Sequence, residues 1–160
     1  ALPEMGISNQ HGWAKAAYEL LSYPYACGIF GRKLETVMLR IGFTRPIQAA
    51  QYLSADSPAE QTRGGLEEFK RNLGAYISPR DITQLFTKAV EALNIENEHG
   101  VPFVVAYGCS DNTRRFWSLE TARKYLDYQP EDDTEVIYSQ EIVKLITGDG
   151  TNVRGGKVGI

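Results

Sequence analysis

Only two stretches of this chain, Leu34-Glu-Thr-Val-Met-Leu-Arg-Ile-Gly42 and Val101-Pro-Phe-Val-Val-Ala-Tyr107, carry the density of β-branched and apolar residues that a buried strand requires. That scarcity limits the fold more than any other feature, because a buried strand needs neighbours to satisfy the N–H and C=O groups along both of its edges. The first stretch is preceded, from Gly12 to about Ala26, by apolar residues at the helical spacing of Trp13, Ala16, Ala17, Leu20 and Leu21, with Pro24 expected to end the helix near Tyr23. A helix feeding a buried strand is half of a parallel α/β unit. Pro102 makes the second strand begin late or lie at an edge, and Glu135 to Ile137 is a weaker third candidate. No succession of strands and helices is long enough for a complete doubly wound sheet. The fold class expected is therefore α/β, part of a Rossmann-like sheet with a mainly helical region beside it.

The helical part is easier to delimit. Pro46, Pro58 and Gly64-Gly65 break residues 44–73 into short helices and loops, the composition of a substrate-side insertion or lid. Ser78-Pro79-Arg80-Asp81 is a helix start in which Ser78 caps, Pro79 occupies the first turn and Asp81 sits where a capping-box acid belongs. Ile82, Leu85, Phe86, Ala89, Val90 and Leu93 then form an apolar stripe expected to face a core. A shorter helix is expected from Leu119 to Leu126, capped by Ser118, with Ala122 and Tyr125 inward and an acidic, solvated loop at Glu131-Asp132-Asp133 after it. The organisation expected is one domain over residues 1–160: 1–43 as the last part of a Rossmann-like unit, 44–147 as the substrate-side region, and the glycine-rich 148–160 as a mobile tail.

Several function classes are disfavoured before any motif is weighed. With 42% apolar and 23% charged residues the 160-residue chain is suited to one soluble domain with a sizeable core. A formal net charge of -3 supplies no broad basic surface, so neither nucleic acid nor an anionic membrane is the expected partner. Cys27 and Cys109 are far apart and near no histidine at ligand spacing, which signals neither a disulfide framework nor a zinc site. No apolar run approaches a bilayer span, and Ala-Leu-Pro-Glu-Met at the start is not a signal peptide, so a cytoplasmic address is expected by default.

Four stretches, His11-Gly-Trp-Ala-Lys15, Leu39-Arg-Ile-Gly42, Tyr76 to Asp81, and Tyr107-Gly-Cys-Ser-Asp-Asn-Thr-Arg-Arg-Phe-Trp117 with Leu126-Asp-Tyr-Gln-Pro-Glu-Asp-Asp133, occur in this order. Together they resemble the C-terminal part of the extended short-chain dehydrogenase/reductases, the NAD-dependent epimerase/dehydratase family, and among them the uronate dehydrogenase-like proteins. The resemblance covers most of the chain outside residues 44–70 and the tail. It implies NAD or NADP as cofactor, a sugar or sugar acid as substrate, and a dinucleotide-binding portion, with its Gly-x-x-Gly-x-x-Gly turn, ahead of residue 1. It also implies pairing with that portion or self-association, since the flank of the Leu34 to Ile41 strand is a pairing edge.

The catalytic pattern of that family is Tyr-x-x-x-Lys, and this chain has His11 where the tyrosine belongs. In the family the tyrosine exchanges a proton with the substrate hydroxyl, while the lysine contacts the ribose and lowers the tyrosine pKa. By resemblance His11 and Lys15 are the catalytic candidates, and Lys15 also the ribose contact. An imidazole titrates near neutrality unaided, but it reaches less far than a phenol and an ammonium nearby disfavours its charged form. The plain alternatives are a polar helix-start histidine and a solvated helix lysine. Met5-Gly-Ile-Ser-Asn9 mimics the motif in another register but lacks both catalytic residues, and the spacing from Lys15 to Leu39 suits the family better.

The resemblance further places Ile41, Gly42 and Phe43 beside the nicotinamide, Thr44 at the substrate, and Arg71, five residues before Tyr76, on the sugar carboxylate, a job suited to a planar guanidinium fork. Arg71 also reads as a surface arginine beside Lys70. Asn112, Arg114 and Arg115 are further donors for an acidic ligand, Phe116 and Trp117 read as core aromatics, and no metal site is expected at Asp132 and Asp133.

Overall fold

The structure, a computed structural model, describes residues 10–53 and 65–147. Helix α1 (Gln10–Cys27) leads to strand β1 (Thr36–Ile41), followed by α2 (Ala50–Leu53), α3 (Gly65–Ala75), α4 (Pro79–Glu91), β2 (Phe103–Gly108), α5 (Glu120–Leu126), α6 (Thr134–Ile137) and α7 (Ser139–Thr147). The two strands pair in parallel, Thr36 opposite Phe103 through Ile41 opposite Gly108. Both strands expected at Leu34 to Gly42 and Val101 to Tyr107 are present, the second starting after Pro102, which has no N–H for the ladder. The residues Met5–Asn9, the tail from Gly148 and the Gly64 break lie outside the described residues.

Strand alternation assigns the two faces of this small sheet. Val104 and Ala106 are buried in one core with Leu85 of α4 and Ala122 and Leu126 of α5, and the partly buried Val37 and Leu39 pack against it. The opposite face carries Arg40, Phe103 and Tyr107, and α1 lies on it, with the Tyr23 ring edge-on to Phe103 at 5.2 Å. Helices therefore cover both faces, as a parallel sheet requires. At the C-terminal end of the strands the extended segment between α3 and α4 joins the sheet. The Phe43 amide donates to the Ala75 carbonyl at 2.8 Å, the Ile77 amide to Phe43 at 2.9 Å, and the Ser110 amide to Tyr76 at 2.8 Å. Tyr76 and Ile77 consequently point to opposite sides. Ile77 enters the sheet core, whereas Tyr76 joins Ile47, Phe69, Leu73 and Ile142 in a second core beneath α2, α3 and α7.

Several local expectations are corrected. Helix α1 does not end near Tyr23 but runs through Pro24 to Cys27. Pro24 removes a single bond, to the carbonyl of Leu20, a largely exposed residue, so water can replace it. The helix stops at Gly28, whose φ of 80° is left-handed, with the Ile29 amide reaching back to the Pro24 carbonyl at 3.1 Å. Glu135 to Ile137 is helical, because the Asp133 side chain caps the turn by accepting the Glu135 amide at 3.0 Å. In α4, Leu85 is buried but Val90 is 86% exposed and Phe86 is also exposed, while Leu93 lies past the helix end at 98%. Two strands are too narrow to cover the whole apolar stripe. Phe116 is likewise exposed, whereas Trp117 stacks on Tyr107 with ring centroids 5.1 Å apart.

Ser78 caps α4 as expected, its Oγ accepting the Asp81 amide at 3.1 Å. The reciprocal half of the capping box is not made, since the Ser78 amide goes instead to Ser110 Oγ at 3.0 Å. Asp81 is fully buried and accepts the amides of Glu131 and Asp132 at 3.1 and 3.2 Å. Asp132 in turn accepts Ser78 Oγ and Arg80, so the acidic loop is an anchored strap, not a solvated one. Ser118 accepts the Glu120 amide at 3.2 Å from one residue ahead of the cap position, which Leu119 occupies.

Burial also sets the pH response. Desolvation pushes the Cys109 thiol up to about 11 and raises the Tyr76 and Tyr128 phenols above their ordinary range. An acid whose folded pKa lies above its unfolded value stabilises the fold fully below the unfolded pKa and loses that contribution as the pH rises through the folded one. Urea denaturation is expected to give similar stability at pH 7.5 and 8 and a marked decline above about pH 9. Undiminished stability at pH 10.5 would contradict this.

Candidate functional site

Two tertiary contacts determine which way α1 runs over the sheet. Tyr23 meets Phe103, at the beginning of β2, whereas Glu19, one turn earlier, meets Arg40 near the end of β1. The helix is thus antiparallel to both strands, and its N-terminal turns overhang their C-terminal ends. The Glu19 carboxylate accepts two bonds from Arg40, at 2.8 Å from Nε and 2.7 Å from Nη2, and Arg40 Nη1 donates to Tyr107 Oη at 2.8 Å. This fork–fork pair raises the Arg40 pKa, chiefly through the Glu19 hydrogen bond, and fixes the helix against the strand. An arginine inside an otherwise apolar strand was the sequence signal for such a partner.

His11, Lys15 and Glu19 recur at intervals of four and so share one face of α1. Lys15 lies about one turn, roughly 6 Å, beyond Glu19, and two residues of strand span a similar length, roughly 6.6 Å from Arg40 to Gly42. Lys15 therefore stands level with Gly42. Its side chain is exposed and makes no hydrogen bond or ion pair among the described residues. His11 occupies the first turn of the same helix.

At the strand end, Ile41 and Thr44 are exposed and Gly42 and Phe43 half-buried. The Gly42 amide donates to Gly108 at 2.8 Å and that of Phe43 to Ala75 at 2.8 Å, while the Phe43 carbonyl accepts from Ile77. Their amides are therefore engaged in the sheet, and these positions offer a ligand contact surface and the Gly42 carbonyl, not N–H donors. Beyond them opens a cleft of 470 Å³. Phe43, Arg45 and Pro46 line it as the chain leaves β1, together with Gln48, with Gln51 and Tyr52 of α2, and with Glu68 and Asn72 of α3. Asn72 is buried and donates to Tyr52 Oη at 2.9 Å, and Tyr52 packs edge-on against Phe69 at 5.2 Å.

Arg71 is exposed on α3 and is not among the residues lining the cleft, although Glu68 and Asn72 on the same helix are. The guanidinium that does line it belongs to Arg45, two residues after Phe43, which the sequence reading did not single out. Nor are Asn112, Arg114 and Arg115 free donors. Asn112 is buried and donates to Tyr76, Arg114 pairs with Glu135, and Arg115 pairs with Asp111. Among the described residues no cluster of histidine, cysteine or acidic side chains could hold a metal, and no helix is long and apolar enough to cross a membrane.

No protein-family model matches the chain. Over 127 residues it is 29% identical to the NAD-dependent glucose-6-phosphate dehydrogenase of Haloferax volcanii, an alignment covering 79% of this chain and 38% of that protein. Among solved structures it is similar to uronate dehydrogenase from Agrobacterium tumefaciens, with a TM-score of 0.55 at 20% identity, and to glucuronic acid dehydrogenase from Chromohalobacter salexigens, with a TM-score of 0.56 at 21% identity. Each of these alignments covers 92% of this chain and 42% of the other. The chain thus spans about two fifths of the length of the relatives it matches. Over the part it spans, the protein has the Rossmann-like α/β fold of the uronate dehydrogenases, the fold that its sequence resemblance implied.

Proposed function

We propose that this chain is the C-terminal, substrate-side portion of an NAD(P)-dependent oxidoreductase acting on a sugar or sugar acid. The observation that carries the reading is the Glu19–Arg40 fork, which holds α1 antiparallel to β1 and so brings Lys15 about level with Gly42 at the strand end. This would suit a cofactor on one side, since the Lys15 ammonium is exposed, has no partner among the described residues and is available to ribose hydroxyls near the strand end. The dinucleotide phosphates would be held by a separate glycine-rich turn, and the outward face of α1, with Trp13 and Leu20 each about two thirds exposed, is apolar surface for that portion or a second copy to cover. In this reading residues up to 43 belong to the dinucleotide side, although β2 returns from the substrate side to pair with β1.

In this mechanism Lys15 would hold the ribose, Ile41 to Phe43 would pack beside the nicotinamide, and Thr44 and the cleft would orient the sugar. His11 would take the proton from the sugar hydroxyl as the C–H bond is broken, a task to which an imidazole is suited as a general base. A bound nicotinamide would supply the hydride acceptor or donor. A second reading is favoured by His11 itself: a catalytically lapsed relative that keeps the scaffold for binding or assembly.

The encoded protein in full is expected to reduce NAD or NADP with a uronic acid, and His11→Tyr to raise kcat at least about tenfold by restoring the longer proton carrier. Absence of turnover by both would favour the lapsed relative. The assay is nicotinamide absorbance with wild type and variant side by side.

A further inference from the structure

We propose that a second cleft, where the loop after β2 enters α5, binds phosphate, either free or as the terminal monoester of a small organic molecule. The inference is independent of the oxidoreductase reading, because this cleft shares no lining residue with the one beyond β1. It has a volume of 500 Å³ and is lined by Arg115, Ser118, Leu119, Glu120, Arg123 and Lys124. Three cations thus accompany one lining carboxylate, on a chain whose formal net charge is -3. Basic groups gathered in a concavity against the overall charge create a local attraction for anions.

The fold holds two of the three cations in position. Arg115 Nη1 and Arg123 Nη2 converge on one oxygen, Asp111 Oδ1, at 2.9 and 3.0 Å, and Arg115 Nη1 also reaches the Asn112 carbonyl at 3.3 Å. One carboxylate therefore orients two guanidiniums but neutralises the charge of only one. Each arginine spends a single nitrogen, so its Nε and its other terminal nitrogen have no side-chain partner among the described residues. Lys124 forms no ion pair among the described residues either, its Nζ lying 4.8 Å from the centroid of the Tyr125 ring. Ser118 Oγ accepts the Glu120 amide at 3.2 Å, which leaves its own proton to donate. These donors suit an anion with several equivalent acceptor oxygens. A phosphate monoester presents three, carries about 1.5 to 2 negative charges at pH 7 and meets guanidinium forks in bidentate geometry, whereas a carboxylate presents two oxygens and one charge. Because Asp111 orients both arginines beforehand, less side-chain freedom is lost on binding. The cleft volume falls within the roughly 300–1,000 Å³ of small-molecule sites, which leaves room for an organic group on the phosphate.

The test is calorimetry, with phosphorus NMR for weak binding, on the 160-residue chain, using inorganic phosphate, glycerol 3-phosphate and acetate. At least one phosphate is expected to bind at least tenfold more tightly than acetate. Preference for glycerol 3-phosphate assigns an organic phosphate to the cleft, and equal or weaker binding than inorganic phosphate assigns the free ion. Arg115→Met and Arg123→Met are each expected to weaken binding at least about tenfold and Arg115→Lys to keep part of the affinity. Lys124→Met, at a side chain that holds no other element in place, is expected to weaken binding about threefold without lowering the melting temperature. Arg45→Met, in the other cleft, is expected to change affinity less than twofold. Three results overturn the inference: no phosphate binding at millimolar concentrations, acetate binding as tightly as phosphate, or a loss with Arg45→Met as large as that with Arg115→Met. If Arg115→Met and Arg123→Met lower the melting temperature, Lys124→Met decides, and its having no effect also overturns the inference. None of these measurements involves NAD or a sugar, so the oxidoreductase reading stands or falls separately.

Discussion

Gly42→Ala is expected to destabilise this protein by at least about 3 kcal/mol, the upper end of what overpacking costs. A Cβ at this position would sit 1.9 Å from the Ala75 carbonyl oxygen and 3.1 Å from that of Gly108. Neither obstacle is a side chain that can swing aside. Both carbonyls accept sheet hydrogen bonds of 2.8 Å, from Phe43 and from Gly42 itself, so relief requires moving the segment between α3 and α4 away from the end of β1. That segment joins the two hydrophobic cores through Tyr76 and Ile77. For a chain of this size each kcal/mol lowers the melting temperature by roughly 2–4 °C, so a fall of at least about 6 °C, or loss of soluble protein, is expected. A variant that melts within about 2 °C of wild type would contradict the close approach.

The second large effect is expected at Asp81, which joins the start of α4 to the strap at residues 131–132. Asp81→Ala removes the acceptor of two backbone amides and creates a void at a fully buried position. A buried donor left unpaired costs about 1–3 kcal/mol, and water reaching the strap relieves part of this, so about 2–4 kcal/mol is expected in urea denaturation. Asp81→Asn keeps one acceptor oxygen but turns an NH₂ group towards the other amide, and an intermediate loss is expected. The strap carries Asp132 and Asp133, so faster hydrogen exchange at residues 131–135 should accompany either change. Exchange confined to α4 would instead assign Asp81 to the helix start alone.

The expectations that held were those governed by neighbours in sequence. Ser78-Pro79 starts a helix because the cap hydroxyl and the amide it accepts lie three residues apart. Leu34 to Gly42 and Val101 to Tyr107 are strands because apolar, β-branched runs bounded by glycine and proline have few other uses. The failures were equally local. Glu135 to Ile137 is too short for its pattern to tell strand from helix, and one capping carboxylate decided it. Phe86 and Val90 belong to an apolar stripe whose width the sequence shows, but the width of the surface it packs on depends on how many strands lie beneath.

The site divided in the same way. His11, Lys15 and the Ile41 to Thr44 exit are candidates by family resemblance, and they lie on a helix and at a strand end, which are local objects. What was hidden were partners distant in the chain. Glu19 finds Arg40 across 21 residues, and Asn72 finds Tyr52 across 20. Arg45 lines the cleft and Arg71 does not, a difference that position relative to a motif does not reveal and that the packing of α2 and α3 beside the exit of β1 decides.

The amino-acid order by itself determined that this chain makes a parallel α/β unit with a helical region attached, because helix and strand periodicities and turn chemistry act over a few residues. Tertiary structure alone decided that α1 runs antiparallel over the sheet, that Gly42 must lack a side chain, and that Arg45 borders the cleft. Those outcomes depend on the meeting of segments tens of residues apart, where shape and unpaired charge choose among arrangements that local preference leaves equal.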